Sequence, residues 1–219
     1  RGREPNPVFL NPDLAIDSFV QPACDGLGAN LGVLLFQLSP LPLGRLLDLH
    51  KTLSELELLA RAVCARLADL PDNTRPIVAY EVRDPDWLRP DIAPRLADIL
   101  RSAGATYCLG LHAKMPPMAD QLPLLRALWP GPLVCRWNVN PIFGPYGYAD
   151  AEQKLAPFDR IQYPDDATLA LLARTINGIC GKGQPAYVTV SNEAEGCGPL
   201  SMLRLAEALT ALQSTDTTN

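Results

Sequence analysis

One pattern repeats five times along this sequence: a short apolar run is followed by an amphipathic segment of helical length. The first run, residues 31–38, is apolar at almost every position, which is typical of a strand buried on both faces of a parallel sheet. Because each helical crossover returns the chain to the same edge of the sheet, this alternation predicts an α/β fold with parallel strands. The predicted strands are 31–38, 77–82, 106–111, 133–137 and 187–191, and the predicted helices are 12–26, 43–70, 91–103, 120–129, a pair within 149–182, and 200–212.

These segments are interpreted as one domain, residues 1–213, that begins with an irregular arm containing three prolines. A polar segment, residues 214–219, follows the last helix and is predicted to be a disordered tail. The sequence does not begin with methionine, so we expect residues before Arg1 to be missing from it.

Two architectures fit parallel strands that alternate with helices: an open, doubly wound sheet and a (β/α)8 barrel. A nucleotide-binding wound sheet requires a Gly-x-Gly-x-x-Gly turn after its first strand, whereas the first strand here is followed by Ser39-Pro40-Leu41-Pro42. A Rossmann fold is therefore disfavoured, but periodicity alone leaves open the choice between sheet and barrel.

Composition excludes several classes of protein. Hydrophobic residues make up 47% of the 219 residues, which is enough for one large core. The net charge of −5 argues against a nucleic-acid binder, because neutralising phosphates requires clustered lysine and arginine. No apolar run reaches the roughly 18–20 residues that span a bilayer, and residues 1–5 lack the apolar core of a signal peptide. The six cysteines form no Cys-x-x-Cys pair, so we expect reduced thiols in a cytoplasmic protein without a membrane partner.

Each predicted strand becomes polar where it ends. Alternation along residues 77–83 puts Glu81 and Arg83 on one face, both at the carboxyl end of the strand. The same reasoning places Asn192 in phase with Val188 and Val190 in the last strand. Ligands of parallel α/β folds bind at the carboxyl ends of strands, so these positions form a candidate site. Its members are Gln37, Glu81, Arg83, His112, Arg136, Asn138 and Asn192.

Two guanidinium groups beside a carboxylate suit an anionic or polyhydroxylated small molecule. Glu81 and His112 are the candidates for acid/base catalysis, and the remaining members would bind substrate. Alternatively, Glu81 and an arginine form a structural ion pair that closes the top of a barrel. His50 lies in a helical segment without a nearby ligand pair, so the sequence predicts no metal site, and it identifies no cofactor.

The loop 138–148 mixes glycines with three aromatic rings directly after a predicted strand. This composition suits a lid over a pocket. It is equally typical of a surface loop that is held by its prolines and packs its rings on neighbouring helices.

Four segments taken together, 31–40, 80–88, 134–137 and 187–192, resemble the YecE-like family, domain-of-unknown-function family 72. The most distinctive is Glu81-x-Arg83-x-x-x-Trp87. The resemblance extends from about Pro5 to the end of the chain. It implies a (β/α)8 TIM-type barrel of which this chain supplies the last five βα units, because nothing here matches the family's three earlier units.

The family pattern falls on residues that largely repeat the candidate set: Gln37, Glu81, Arg83, Trp87, Arg136, Tyr148 and Asn192. Two positions depart from it. Asn138 occupies the place of a usual histidine, and Gly110 and His112 lie where an aspartate is common.

These residues are consistent with two functions. The first is an enzyme, of hydrolase, isomerase or lyase type, that acts by acid/base chemistry on a small anionic or sugar-like compound. The alternative is a non-catalytic barrel that binds a small ligand or another molecule. The sequence does not predict the oligomeric state.

Overall fold

The computed structural model describes residues 6–71, 74–145 and 147–216, with the backbone alone at residues 215 and 216. Its centre is a five-stranded parallel sheet in which the strands follow one another in chain order. A doubly wound sheet would reverse its strand order at a switch point, so this sheet is wound in one direction only. The strands are β1 (Val33–Leu38), β2 (Ile77–Val82), β3 (Thr106–Leu111), β4 (Leu133–Trp137) and β5 (Ala186–Val190).

Helices cover the convex face of the sheet and connect its strands. Their bounds are α1 (Pro12–Ala15), α2 (Gln21–Leu27), α3 (Leu43–Leu46), α4 (Leu49–Ala68), α5 (Ala93–Ala103), α6 (Met118–Ala127), α7 (Tyr148–Leu155), α8 (Asp166–Cys180) and α9 (Gly198–Asp216). A π-helical segment, Ile16–Val20, joins α1 to α2. The α/β fold predicted from the sequence is confirmed.

Local hydrogen bonds explain where the structure departs from the predicted boundaries. The predicted helix 43–70 is divided into α3 and α4, because the Asp48 carboxylate accepts a hydrogen bond from Lys51 N and begins a new helix. At the other end of the chain, α9 continues to Asp216, so residues 214–216 of the predicted tail are helical. Residues 217–219 lie outside the described part of the chain.

The core lies between the sheet and the helices. Leu34, Tyr107 and Leu109 point from the strands toward this layer and are fully buried there, as are Leu53 and Leu96 of the helices. The concave face holds a smaller apolar cluster whose centre is Ala79, Cys108 and Val134. The two faces of the sheet therefore differ, and only the convex face carries the main core.

The sheet is strongly curled. Four inter-strand spacings separate β1 from β5 along the sheet, roughly 19 Å in a flat sheet. Yet a Cβ atom added at Gly32, just before β1, would lie 3.0 Å from Cε1 of Tyr187 in β5. One tyrosine side chain thus crosses the opening between the two edge strands. The result is a half-barrel, whose concave face is open beside a cavity of about 430 Å³.

The six cysteines, all within the described residues, are free thiols. Burial raises the pKa of Cys64 to about 11 and, together with the Glu81 carboxylate, that of Cys135 to about 12, so these thiols remain protonated and unreactive near neutral pH. Among the described helices, none combines the length and the hydropathy that a membrane span requires.

Candidate functional site

Strand register brings the predicted site residues of β1, β2 and β4 together at the carboxyl end of the concave face. Gln37 in β1 is the register partner of Glu81 in β2, and Gly110 in β3 is the partner of Arg136 in β4. Arg83 follows Glu81 by two positions and so lies on the same side. The phase predicted from the sequence holds for these strands.

Gln37, Glu81, Arg83 and Arg136 form one connected group, here termed the Glu81 cluster. The Glu81 carboxylate is fully buried, and its Oε2 accepts a hydrogen bond of 2.6 Å from Arg136 Nη1. Its Oε1 lies 2.5 Å from Arg83 Nε in an ion pair whose N–H direction is poorly aligned for a hydrogen bond. Gln37 Oε1 accepts 2.9 Å hydrogen bonds from both guanidiniums. One carboxylate between two guanidiniums leaves the cluster with an excess of one positive charge.

The structure adds Gly110 to the site, a position that the sequence marks only as a departure from the family pattern. A Cβ atom at this position would lie 3.2 Å from Glu81 Oε1 and 3.3 Å from Glu81 Cγ. The glycine therefore gives the buried carboxylate its space. A glycine inside an otherwise apolar strand commonly indicates such a close approach, and that signal was available in the sequence.

His112 and Tyr148 lie beside the cluster, with ring centroids 5.1 Å apart. His112 Nδ1 accepts a hydrogen bond from Lys114 N, so a neutral ring carries its proton on Nε2. Burial and the nearby charges of Arg83, Lys114 and Arg136 lower the pKa of His112 to about 4. Burial raises the pKa of Tyr148 even though the Arg83 guanidinium opposes this shift. At neutral pH both side chains are uncharged and offer hydrogen-bond donors.

Asn138 follows Arg136 in the same phase and is 7% exposed. Its backbone N–H donates to Leu111 O, and its carbonyl accepts from Ser191 Oγ. Its side-chain Nδ2 is buried and has no hydrogen-bond partner among the described residues. A buried amide without a partner is costly, and so it indicates a place where a bound molecule could accept a hydrogen bond.

Asn192 is placed differently. Its Oδ1 accepts a 2.8 Å hydrogen bond from Gly198 N and thereby caps α9. No hydrogen bond within the described residues joins Asn192 to the Glu81 cluster. Its carboxamide oxygen therefore has a structural role at a helix start.

The phase predicted for β5 was wrong. Tyr187 and Thr189 are the register partners of Val134 and Arg136, so they share the concave face. Val188 and Val190, which the prediction placed there, pack against the helix-side core instead. In an edge strand the apolar positions, here Val188 and Val190, lie on the covered face, while more polar positions such as Thr189 lie on the open face.

Trp87, the last residue of the distinctive sequence segment, is fully buried in the helix-side core within the short 3-10 turn Pro85–Leu88. It belongs to the scaffold that follows β2 and does not line the concave face.

The loop 138–148 is tied to its surroundings at several points, although Tyr146 lies outside the described residues. Asn140 Nδ2 donates to Tyr163 O, and the Phe143 ring packs edge-on against that of Tyr163, with centroids 5.6 Å apart. These contacts support the interpretation of a pinned loop over that of a mobile lid.

Within residues 6–71, 74–145 and 147–216, no group of three or more His, Cys, Asp or Glu side chains is arranged to hold a metal ion. The charged groups of the site are two guanidiniums and one carboxylate, and several neutral hydrogen-bond donors surround them.

Comparison with solved structures identifies two crystal structures of a DUF72 family protein from Enterococcus faecalis. They superpose with TM-scores of 0.56 and 0.53 at 16% and 15% sequence identity, which demonstrates a shared fold. The alignments cover 89% and 90% of this chain and 65% and 67% of theirs, so this chain spans about two thirds of their length.

No curated protein matches the sequence. The family model described as "Protein of unknown function DUF72" matches residues 8–219 and confirms the resemblance to domain-of-unknown-function family 72. The chain belongs to the DUF72 family, whose function is unknown.

Proposed function

We propose that the carboxyl ends of β1 to β4 form a binding site for a small anionic compound. The observation that carries this proposal is the excess positive charge of the Glu81 cluster, in which Arg83 and Arg136 share a single carboxylate. The Arg136 side chain is 30% exposed, so a solute can reach it from the concave face. Each guanidinium has five N–H donors, more than Glu81 and Gln37 occupy.

Neutral donors around the cluster complete the proposed site. His112 presents Nε2–H, Tyr148 presents its hydroxyl, and Asn138 holds a buried amide nitrogen without a partner. Donors without competing negative charge complement a carboxylate, a phosphate or the hydroxyls of a sugar acid. This arrangement supports a small-molecule partner, and the net charge of −5 weighs against nucleic acid.

The same geometry favours binding over acid/base catalysis. A general base needs a free lone pair within reach of the proton that it removes. Both Glu81 oxygens face guanidinium groups, and the basic nitrogen of His112 already accepts a hydrogen bond from Lys114 N. The non-catalytic ligand-binding barrel is therefore the better-supported of the two functions expected from the sequence.

The proposal extends to the complete fold and to its location. Open edges at β1 and β5, and solved structures of which this chain covers about two thirds, support a (β/α)8 barrel to which this half-barrel contributes five units. Six free cysteines support a reducing, cytoplasmic environment.

The proposal can be tested by isothermal titration calorimetry of the protein with inorganic phosphate, acetate and glucuronate, with glucose as the neutral control. We expect at least one anion to bind, and Arg136→Gln to weaken that binding about tenfold, because one charge-assisted hydrogen bond is lost. Arg89→Gln removes an exposed arginine paired with Asp91 and serves as the matched control. Equal binding by wild type and Arg136→Gln would contradict the proposed site, as would tighter binding of glucose than of every anion.

A further inference from the structure

A second concave surface lies at the opposite end of the strands, between the last turns of α6 and α8. This α6–α8 groove has a volume of about 440 Å³, and its lining includes Leu125, Arg126, Trp129, Arg174, Gly178 and Lys182. Its size falls in the range of small-molecule sites in proteins. It shares no lining residue with the Glu81 cluster.

The groove concentrates positive charge. Arg126, Arg174 and Lys182 all line it and are exposed, and none of their side chains forms an ion pair or hydrogen bond within the described part of the chain. The carboxylates of α6 and α8 lie in their first turns, at Asp120 and Asp166. Asp166 is eight residues from Arg174, roughly 12 Å along the helix. In a protein with a net charge of −5, three cations without a neighbouring acid on either lining helix form a distinct basic surface.

An aromatic ring lies on the same surface. Trp129 is 48% exposed, whereas Trp87 and Trp137 are completely buried. An indole next to arginines provides a flat apolar face on which a planar group can stack. The leucines of the groove supply the apolar floor.

Gly178 keeps the groove open. A Cβ atom at this position would have no atom within 4 Å, so neither packing nor a positive φ requires a glycine here. Glycine is also unfavourable within a helix, and α8 continues to Cys180. A larger residue would stabilise the helix and fill the groove, so the glycine matters for the open space that it leaves.

We propose that the α6–α8 groove binds a small aromatic anion, a planar apolar ring that carries one phosphate or carboxylate group. The ring lies against Trp129 and the leucines, and the anionic group faces Arg126, Arg174 and Lys182. This inference rests on different residues from the anion site at the carboxyl ends, so either can fail without the other.

The probes are 1-naphthyl phosphate and 1-naphthoate, with 1-naphthalenemethanol as the neutral analogue. Binding is measured by calorimetry and by quenching of tryptophan fluorescence, which reports mainly on Trp129 because the other two indoles are buried. We expect at least one anion to bind about tenfold more tightly than the neutral alcohol, and the tighter of the two anions identifies the preferred charged group.

Gly178→Leu fills the groove and is expected to weaken anion binding at least tenfold, without lowering the melting temperature. Gly44→Leu is the matched control, since Gly44 lies in α3 and a Cβ atom there also meets nothing within 4 Å. A second variant, Arg126→Gln with Arg174→Gln, removes the two charges and keeps a polar side chain at each lining position, and Arg160→Gln controls for the loss of an exposed cation elsewhere.

Three results would overturn the inference. They are binding of the neutral alcohol as tight as that of both anions, unchanged binding in the double arginine variant, and equal losses in Gly178→Leu and Gly44→Leu. Loss confined to the groove variants supports it.

Discussion

Glu81→Gln removes the only charge that balances Arg83 and Arg136 within the Glu81 cluster. Breaking a buried ion pair by deleting one partner destabilises proteins by about 3–5 kcal/mol, because the remaining charge stays buried and unpaired. The Arg83 side chain is 10% exposed, so nearly the full energetic cost of an unpaired buried charge applies to it. The Arg136 side chain is 30% exposed, so solvent partly screens its charge. The new amide still offers one acceptor. We therefore expect a loss of about 3 kcal/mol in the free energy of unfolding.

The measurement is urea-induced unfolding followed by circular dichroism, together with the thermal midpoint. For a chain of this size, about 3 kcal/mol corresponds to a decrease of roughly 6–12 °C. Glu57→Gln is the matched control, since Glu57 pairs with Arg61 one helical turn away on the surface of α4. That change is expected to cost less than about 0.5 kcal/mol.

A double variant separates loss of the carboxylate from general disruption. Adding Arg136→Met to Glu81→Gln removes one of the two guanidinium charges that lack a carboxylate partner, so part of the lost stability should return. If Glu81→Gln costs no more than Glu57→Gln, or if the double variant is additive, the interpretation of a buried ion-pair cluster is refuted.

Three further predictions follow from the site. Gly110→Ala places a methyl group 3.2 Å from Glu81 Oε1, and displacement of the carboxylate should lower the unfolding free energy by about 1–2 kcal/mol in urea. The pKa of His112 is about 4 in the folded protein against 6.5 for the free side chain, so the unfolded chain binds the proton more tightly. The contribution of neutral His112 to the free energy of unfolding is therefore fully present above pH 6.5 and is lost as the pH falls toward 4. His112→Gln should reduce the dependence of the unfolding free energy on pH, measured by denaturation between pH 4.5 and 7. Asn192→Ala should cost about 1 kcal/mol through loss of the α9 cap and leave anion affinity unchanged in calorimetry; a fall in affinity would place Asn192 in the site instead.

The sequence predicted the phase of a strand correctly where helices cover the convex side of that strand and a charged residue marks its end. Glu81 is the charged residue of the otherwise apolar β2 and Arg83 follows directly after the strand, so the phase of β2 and its functional end could be identified together. In β5, the concave face is open, and Tyr187 and Thr189 are accordingly tolerated on it. The apolar positions of such a strand identify its covered face, but the sequence does not show that the concave side of β5 is the open one.

Pairing within the site could not be derived from the sequence. Alternation places Gln37, Glu81 and Arg136 on one face, but which atoms meet depends on strand register and on the curl of the sheet. For the same reason, the cap that Asn192 forms on Gly198 N could not be anticipated, because it depends on how the turn after β5 folds back.

The Glu81 cluster also bears on the order of folding. Neighbouring strands in this sheet are neighbours in the chain, with paired residues 26 to 53 positions apart, so strand pairing can proceed unit by unit. The hydrogen bond between Arg136 and Gln37 instead joins residues 99 positions apart, and the one between Arg136 and Glu81 joins residues 55 apart. The first bond requires β1 to β4 to be in place, and the second requires β2 to β4. An anion that binds these guanidiniums would therefore select chains that have completed the assembly from β1 to β4, and its binding would lower their rate of unfolding.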